Sequence, residues 1–381
     1  MIYFDCASTT KPCDAALAAF AGASWGNPSS LHSLGLEAQR QLNAARREIA
    51  SSIGARPDEV FFTSTGTESN NTAIYGAASL LHARGRRIIT TDSEHPSVLE
   101  PYAKLKQEGF DVVLLPTKGG VLSLEALGNA IDAQTILVSC MMVNNETGAV
   151  NPIEAISRII ADKTPYGRKI LFHTDAVQAY MKMPVNVKKL GADMLSLSGH
   201  KVQSLKGAAA LFVAKGTNLP SLMQGGGQES KLRSGTQNTP AAYALGESVK
   251  AQLPSLAADL AAAEQLCAYT ADQITAKIEG ASVNLPPEHS PYILSATIPG
   301  IRSEIMLQYL SGKDIYISSG SACSAKSGDV SHVLSAYGMT QKQADCTVRI
   351  SFGKNSTKAQ ADELVAAMAE GTRTLVRVKV V

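Results

Sequence analysis

Lys201 lies in Ser196-Leu197-Ser198-Gly199-His200-Lys201, directly after an apolar run. A lysine placed there can form a Schiff base with an aldehyde. Taken alone, it reads as a surface lysine in a polar loop. Several other stretches change that reading. Asp175 follows the apolar run Ile170–Thr174, and Gln178 comes three residues later. A carboxylate there can keep an aromatic ring nitrogen protonated, and an amide can reach a phenolic oxygen. Thr65-Gly66-Thr67-Glu68-Ser69 follows another short strand and opens a helix, where hydroxyls and free backbone N–H groups make an anion cup. On its own this stretch reads equally well as a plain helix cap. His95, in Ser93-Glu94-His95-Pro96, follows a third strand and offers a flat ring for stacking. An amine, an acid for a ring nitrogen, a donor, a stacking ring and an anion cup are together the requirements of pyridoxal 5'-phosphate.

These groups need a scaffold that gathers strand ends. From about residue 37 helices alternate with short apolar strands. The strands are Val60–Thr63, Arg87–Thr91, Val112–Pro116, Thr135–Val143, Ile170–Thr174 and Met194–Ser198. Helices are predicted over 37–53, 67–84, 96–108, 123–131 and 152–162. Ala208–Val213 follows the preceding strand too closely for a helical crossover, which predicts antiparallel pairing. The pattern implies an α/β fold with a mainly parallel sheet covered on both faces, and ligands at the carboxyl ends of its strands. Near residue 252 the rhythm changes. A long Ala-rich helix over 255–279 is followed by Leu294–Ile298, a helix near 303–312, Tyr316–Ser318, a helix near 331–337, Thr347–Ser351 and a last helix from about 357. This predicts a large domain over 15–252 and a smaller α/β domain over 253–381, with segment 1–14 packed near the small domain and the active site.

Composition narrows the function classes. The chain has 381 residues, 45% hydrophobic and 18% charged, with a net charge of +2. That balance argues against nucleic acid or an anionic membrane as partner. No apolar run approaches the roughly 20 residues of a membrane span. The opening Met-Ile-Tyr-Phe-Asp-Cys lacks a basic region before an apolar core, so no secretory signal is expected. Cys6, Cys13, Cys140, Cys267, Cys323 and Cys346 are too widely spaced for a zinc framework or a disulfide scaffold. The expectation is a reduced cytoplasmic protein with no metal site, and with Cys140 and Cys267 in the core.

The chain resembles the cysteine desulfurases of the NifS/IscS type, within the class V aminotransferases. The likeness runs from Asp5-Cys6-Ala7-Ser8-Thr9-Thr10 to Arg349-Ile350-Ser351-Phe352-Gly353. It includes Gly26-Asn27-Pro28-Ser29-Ser30, Thr67-Glu68-Ser69-Asn70, Glu94-His95, Asn144-Asn145-Glu146-Thr147-Gly148 and Asp175-Ala176-Val177-Gln178. Ser198-Gly199-His200-Lys201, Gly225-Gly226-Gly227-Gln228-Glu229, Arg233-Ser234-Gly235-Thr236 and Ser318-Ser319-Gly320-Ser321-Ala322-Cys323 continue it. The chain departs from the family after Lys201, where Gln203-Ser204-Leu205 stands in place of the usual Gly-Pro.

The resemblance implies the pyridoxal-phosphate-dependent transferase fold of type I and conversion of L-cysteine to L-alanine. By it, Lys201 carries the cofactor, and Gly66, Thr67, Ser198 and His200 hold its phosphate. Thr236 joins them from the other subunit of a homodimer. Asn145 and Arg349 bind the substrate carboxylate, a planar guanidinium matching it in bidentate fashion. Cys323 takes the sulfur as a persulfide, with small polar neighbours that suit a mobile loop, and His95 carries a proton near the substrate sulfur. The sulfur then passes to an acceptor protein of unknown identity, for iron–sulfur clusters or other products. The alternatives are a selenocysteine lyase, an aminotransferase or kynurenine-cleaving relative, and a cofactor-free sulfur relay or scaffold on the same fold. Intact Lys201, Asp175 and His95 argue against the last.

Overall fold

The computed structural model describes residues 1–164, 168–320 and 331–375. Its strands in chain order are β1 Ile2–Tyr3, β2 Val60–Thr63, β3 Arg87–Thr91, β4 Asp111–Leu115, β5 Thr135–Ser139, β6 Leu171–Asp175 and β7 Met194–Ser198. They continue with β8 Ala209–Val213, β9 Ser282–Asn284, β10 Ile293–Thr297, β11 Ile315–Tyr316, β12 Ser318–Ser319 and β13 Thr347–Ser351. Seven of them form one sheet in the order β2-β8-β7-β6-β5-β3-β4. Neighbours from β7 through β4 pair parallel, and β8 runs antiparallel to both β7 and β2. β5, β6, β7 and β8 are buried at every position. Helices cover both faces, which is why these strands read as continuous apolar runs rather than alternating ones. The antiparallel β8 agrees with the short link that precedes it.

Two large apolar clusters fill this body. One holds Leu42, Ile49, Phe62, Ile89, Val138, Phe172 and Leu245 on one side of the sheet. The other holds Ile74, Leu81, Ile88, Tyr102 and Leu211 on the opposite side. A third cluster forms around a separate antiparallel sheet, β12-β13-β10-β9, and the helices Leu256–Lys277, Ser303–Ser311 and Lys358–Thr374. Ile2 and Phe4 belong to that third cluster, although they open the chain. β1 pairs parallel with β11, Asp5 bridges to Ser351, and the Phe4 ring meets the Phe352 ring edge-on at 5.4 Å between centroids.

The differences from the sequence reading have local causes. The expected strand Thr135–Val143 stops at Ser139, past which the chain keeps one bond to the end of β6 while Met141 and Val143 turn to other partners. Met141 N meets the Glu94 carboxylate, Met142 N meets Asp175 O, and Val143 bridges to Val150. The apolar run continues past the strand because the turn it enters is buried too. Tyr316–Ser318 divides into β11 and β12, which belong to two different sheets. The helices Asp14–Ala21 and Thr239–Gln252 were missed. Both are rich in alanine, and the first exposes Leu17 and Phe20 while the second is buried around much of its circumference, so neither shows a clear apolar periodicity. Among the described residues no helix is long and apolar enough to cross a membrane. Cys140 and Cys267 are buried, as read from their apolar settings.

Helix Thr239–Gln252 packs closely against helix Ser33–Ser52, and Gly246 is the point of contact. A Cβ there would sit 2.4 Å from Ala45 Cα and 2.6 Å from Ala45 Cβ. Gly246→Ala therefore forces the helices apart, at a cost of about 1–3 kcal/mol for an overpacked contact. A lower thermal unfolding midpoint is the expected outcome. A wild-type midpoint would mean the helices separate without penalty.

Candidate active site

The parallel strands place their carboxyl ends along one edge, and a cavity of about 370 Å³ opens there. β2 leads to Gly66 and Thr67, β3 to His95, β5 to Asn145, β6 ends in Asp175 before Gln178, and β7 ends in Ser198 before His200 and Lys201. Arg349 comes from the other sheet, in the middle of β13. All ten of these residues line the one cavity. Thr236 does not. It is exposed, and it borders a separate cavity of about 110 Å³ beside Ser64 and Arg233. Cys323 lies outside the described residues.

The start of helix Gly66–Leu81 supplies the anion cup. Thr65 caps the helix, its hydroxyl accepting from Glu68 N at 3.0 Å. The N–H groups of Gly66 and Thr67 belong to the first turn, which has no intrahelical acceptor to offer. A Cβ on Gly66 would lie 3.0 Å from Val177 Cγ2 and 3.5 Å from Ser198 Cβ. Glycine thus keeps room in the cup.

Asp175 is buried and accepts two hydrogen bonds, from Val177 N at 2.9 Å and from Asn70 Nδ2 at 2.7 Å. Asn70 Nδ2 also donates to Ser97 Oγ at 2.8 Å, and Ser97 Oγ lies 2.8 Å from His95 Nδ1. His95 caps the helix Pro96–Gln107 by accepting from Ser97 N at 3.1 Å. Nδ1 is therefore an acceptor, and the ring proton sits on Nε2. Burial lowers the His95 pKa, ahead of the opposing pull of Asp175, so the imidazole is neutral at neutral pH. Burial also lowers His200, to about 4.

Lys201 Nζ donates to Ala7 O at 2.6 Å and Ser8 O at 2.7 Å. Burial, then the nearby Lys182 and Arg349 charges, bring its pKa from 10.5 to about 7. A substantial share is the free amine at neutral pH, the form that attacks a carbonyl carbon. Arg349 Nη1 donates to Asn145 O at 2.9 Å, and Nη2 donates to Asp5 Oδ1 at 3.0 Å and Ser8 Oγ at 2.8 Å. Arg349 Nε and Asn145 Oδ1 are buried without a hydrogen-bond partner among the described residues. Such atoms carry a desolvation cost that a polar ligand would offset. An amine prone to be neutral, a buried carboxylate, an anion cup and unpaired polar atoms around one cavity fit a phosphorylated aldehyde cofactor and an amino-acid substrate.

Sequence reasoning missed several groups that shape this site. Asp5, Ala7 and Ser8 receive the lysine and the arginine, yet stand 344 to 341 positions from Arg349. A rule that looks at strand ends cannot find them. Lys182 donates to Gln178 Oε1 at 2.8 Å, while Gln178 Nε2 donates to Ala7 O at 2.9 Å. Glu146 accepts from Ser331 Oγ at 2.5 Å, and burial raises its pKa. His332 Nε2 contacts Glu94 O at 2.9 Å, and His332 lines the cavity. Glu94 itself was noticed only as part of a motif.

Known proteins resemble this chain along nearly its whole length. Residues 2–364 match the family Aminotransferase class-V. A protein of Dictyoglomus turgidum named cysteine desulfurase IscS is 36% identical over 382 residues, covering 98% of this chain and 96% of that protein. A solved structure described as a NifS-like protein superposes with a TM-score of 0.91 at 35% identity, covering 98% of this chain and all of that one. A second, SspA in complex with cysteine, gives a TM-score of 0.82 at 34% identity over 94% of this chain and all of that one.

Glu94 generates a prediction about stability. Its Oε1 accepts from Thr91 Oγ1 at 2.9 Å and Met141 N at 2.8 Å, and its Oε2 is buried with no partner among the described residues. Burial pushes its pKa from 4.5 to about 8. Between those values the folded chain holds a proton that the unfolded chain releases, so stability falls as pH rises from about 4.5 to about 8. Glu94→Gln keeps the Oε1 acceptor and removes the titration. The thermal midpoint of the variant should drop less between pH 5 and 8 than that of the wild type, and parallel curves would refute the assignment.

Proposed function

This chain belongs to the class-V aminotransferase family, whose members depend on pyridoxal 5'-phosphate, and we propose that it is a cysteine desulfurase converting L-cysteine to L-alanine. The observation that carries this reading is the pairing of Lys201 with Asp175, a poised amine and a buried carboxylate in one cavity at the ends of adjacent strands. In this reading Lys201 attaches the cofactor, and Gly66, Thr67, Ser198 and His200 hold its phosphate. Asp175 would keep a proton on the ring nitrogen, Gln178 would donate to the phenolic oxygen, and His95 would offer its flat ring to the cofactor ring.

The bound cofactor supplies an electron sink for the charge that develops at the substrate α-carbon. Every other task falls to the chain. Arg349 and Asn145 hold the substrate carboxylate, with the Asp5 contact fixing the guanidinium plane. Lys201 Nζ takes the α-proton, which its free-amine form can accept near neutral pH. The thiolate of Cys323 attacks the substrate sulfur. Cysteine and the Cys323 thiol thus become alanine and a Cys323 persulfide, with no outside oxidant or reductant. His95, protonated on Nε2, manages a proton near the sulfur.

A homodimer is part of the proposal. Thr236 is exposed and does not line the Lys201 cavity of its own chain, which suits a contribution to the phosphate of a second copy. Phe20, Trp25 and Leu31 are 48%, 82% and 91% exposed, large apolar side chains that a second copy would cover. An acceptor protein then takes the persulfide sulfur.

Lys201→Ala should lose both the visible absorption of the bound cofactor and the adduct trapped by borohydride. An adduct mapped to another lysine would move the attachment point. Cys323→Ser should still bind cofactor and cysteine but lose nearly all alanine formation from cysteine, because a hydroxyl is a far poorer nucleophile toward sulfur. Mass spectrometry of the wild type after brief cysteine treatment should add one sulfur to the Cys323 peptide. A persulfide on Cys6, Cys140 or Cys346 instead, or substantial alanine from the variant, would overturn the role. Retained turnover of selenocysteine by the variant is consistent with the proposal, since selenium leaves more readily than sulfur.

A further inference from the structure

Lys182 is a lysine with almost no exposed surface that the mechanism above does not use. Met181, just before it, has a backbone φ of 56°, in the left-handed region that non-glycine residues seldom occupy. That unusual turn delivers Lys182 inward instead of to solvent. Its ammonium donates to Gln178 Oε1 at 2.8 Å. An ammonium can only donate, so the Gln178 carboxamide must present its oxygen to Lys182 and its NH2 group the other way. The NH2 group donates to Ala7 O at 2.9 Å, and the same carbonyl accepts from Lys201 Nζ at 2.6 Å. A continuous chain of contacts thus runs from Lys182 through Gln178 and the Ala7 carbonyl to Lys201.

Building on the reading of Lys201 as the reactive amine, we propose that Lys182 is a positioning residue: it fixes the Gln178 carboxamide and, as a second cation set beside Lys201, keeps Lys201 in its free-amine form.

The surroundings favour this over a purely structural role. The charged and titratable groups facing Lys201 are Lys182, Arg349, Asp5 and Asp175, with His95 and His200 also sensing its charge. Those facing Lys182 are Cys6, Arg349, Lys201 and His200. Asp5 and Asp175 favour the ammonium form of Lys201. Burial opposes them, and so do the two cations Lys182 and Arg349. Arg349 is bound to Asp5, which partly cancels its charge, whereas among the described residues no carboxylate contacts Lys182. Cys6, whose thiolate would favour the charged form of Lys182, is pushed up to about 11 by burial and stays a neutral thiol. Burial lowers Lys182 to about 8, above Lys201, so Lys182 keeps its charge where Lys201 titrates and disfavours the Lys201 ammonium, leaving Lys201 to serve as the amine nucleophile.

The test reads Lys201 directly. The full chain, freed of cofactor, is labelled competitively with an amine reagent across pH, and the modified lysines are mapped by mass spectrometry. In the wild type, labelling of Lys201 should rise with a midpoint near 7. In Lys182→Met, which keeps the shape and removes the charge, the midpoint should move up by about one unit or more. Lys182→Arg, which keeps the charge, should stay near the wild type. If Lys182→Met fails to fold, Lys182→Gln takes its place as the neutral variant. An unchanged midpoint in the neutral variant overturns the proposal, as do equal shifts in the neutral and Arg variants, since packing would then be the cause. Binding of pyridoxal 5'-phosphate and alanine formation by the wild type are measured separately. A chain that fails those tests but shows the Lys182-dependent midpoint would refute the desulfurase reading and leave this inference standing.

Discussion

Three basic side chains, Lys182, Lys201 and Arg349, gather around residues 5–8, and the site depends on how their desolvation is offset. Each is largely withdrawn from water, Lys201 and Arg349 at the cavity wall and Lys182 behind it, and a buried cation without an acceptor is costly. The acceptors come largely from one short stretch of chain. Asp5 and Ser8 take the guanidinium, and the carbonyls of Ala7 and Ser8 take the Lys201 amine. Lys182 reaches the same Ala7 carbonyl through Gln178. Carbonyl oxygens are dipoles rather than full charges. They satisfy the Lys201 hydrogens without anchoring its proton as a carboxylate would, which leaves the amine easy to deprotonate.

That stretch is held in place by the second sheet. β1 pairs with β11, Asp5 bridges to Ser351, and Ala7 N donates to Ser351 Oγ at 2.9 Å. Phe4 stacks edge-on against Phe352 in the same cluster. Since Arg349 lies two residues before Ser351 on β13, the strand that anchors the N-terminal segment also delivers the arginine that this segment receives. Packing in the third apolar cluster therefore sets the distance between Arg349, on the second sheet, and Lys201, in the turn after β7 of the first. The spacing a substrate meets between carboxylate site and reactive amine is fixed by core packing, not by either loop alone.

On the other side of the cavity the parallel sheet supplies polar groups that are ordered through one another. Asp175, Asn70, Ser97 and His95 form an unbroken series of hydrogen bonds, and the histidine end also caps a helix. The helix start sets the His95 tautomer, so the protonated nitrogen is determined by secondary structure. Protonated Glu94 closes the floor beneath, tying Thr91 at the end of β3 to Met141 beyond the end of β5. Lys201 and Glu94 are shifted in opposite directions by the same cause, burial, because one is charged when protonated and the other when deprotonated.

The sequence alone determined the α/β class, most of the strands of the large sheet, and the residues that stand at their carboxyl ends. Gly66, Thr67, His95, Asp175, Gln178, Ser198, His200 and Lys201 were legible because each follows an apolar run by a few positions, and a parallel sheet brings such positions to one edge. Arg349 was legible as a polar residue in an apolar strand, and Asn145 through its motif. Tertiary structure decided what surrounds them. That Ala7 and Ser8 offer their carbonyls to Lys201 has no sequence signature, because a backbone oxygen looks the same at every position and the partners are 194 and 193 residues apart. Lys182 read as one more lysine, since its burial follows from a left-handed turn at Met181 that composition does not announce. Chemistry-bearing side chains are chosen residue by residue and so leave a mark in sequence. Their protonation depends on burial and on neighbours distant in the chain, which only the folded arrangement supplies.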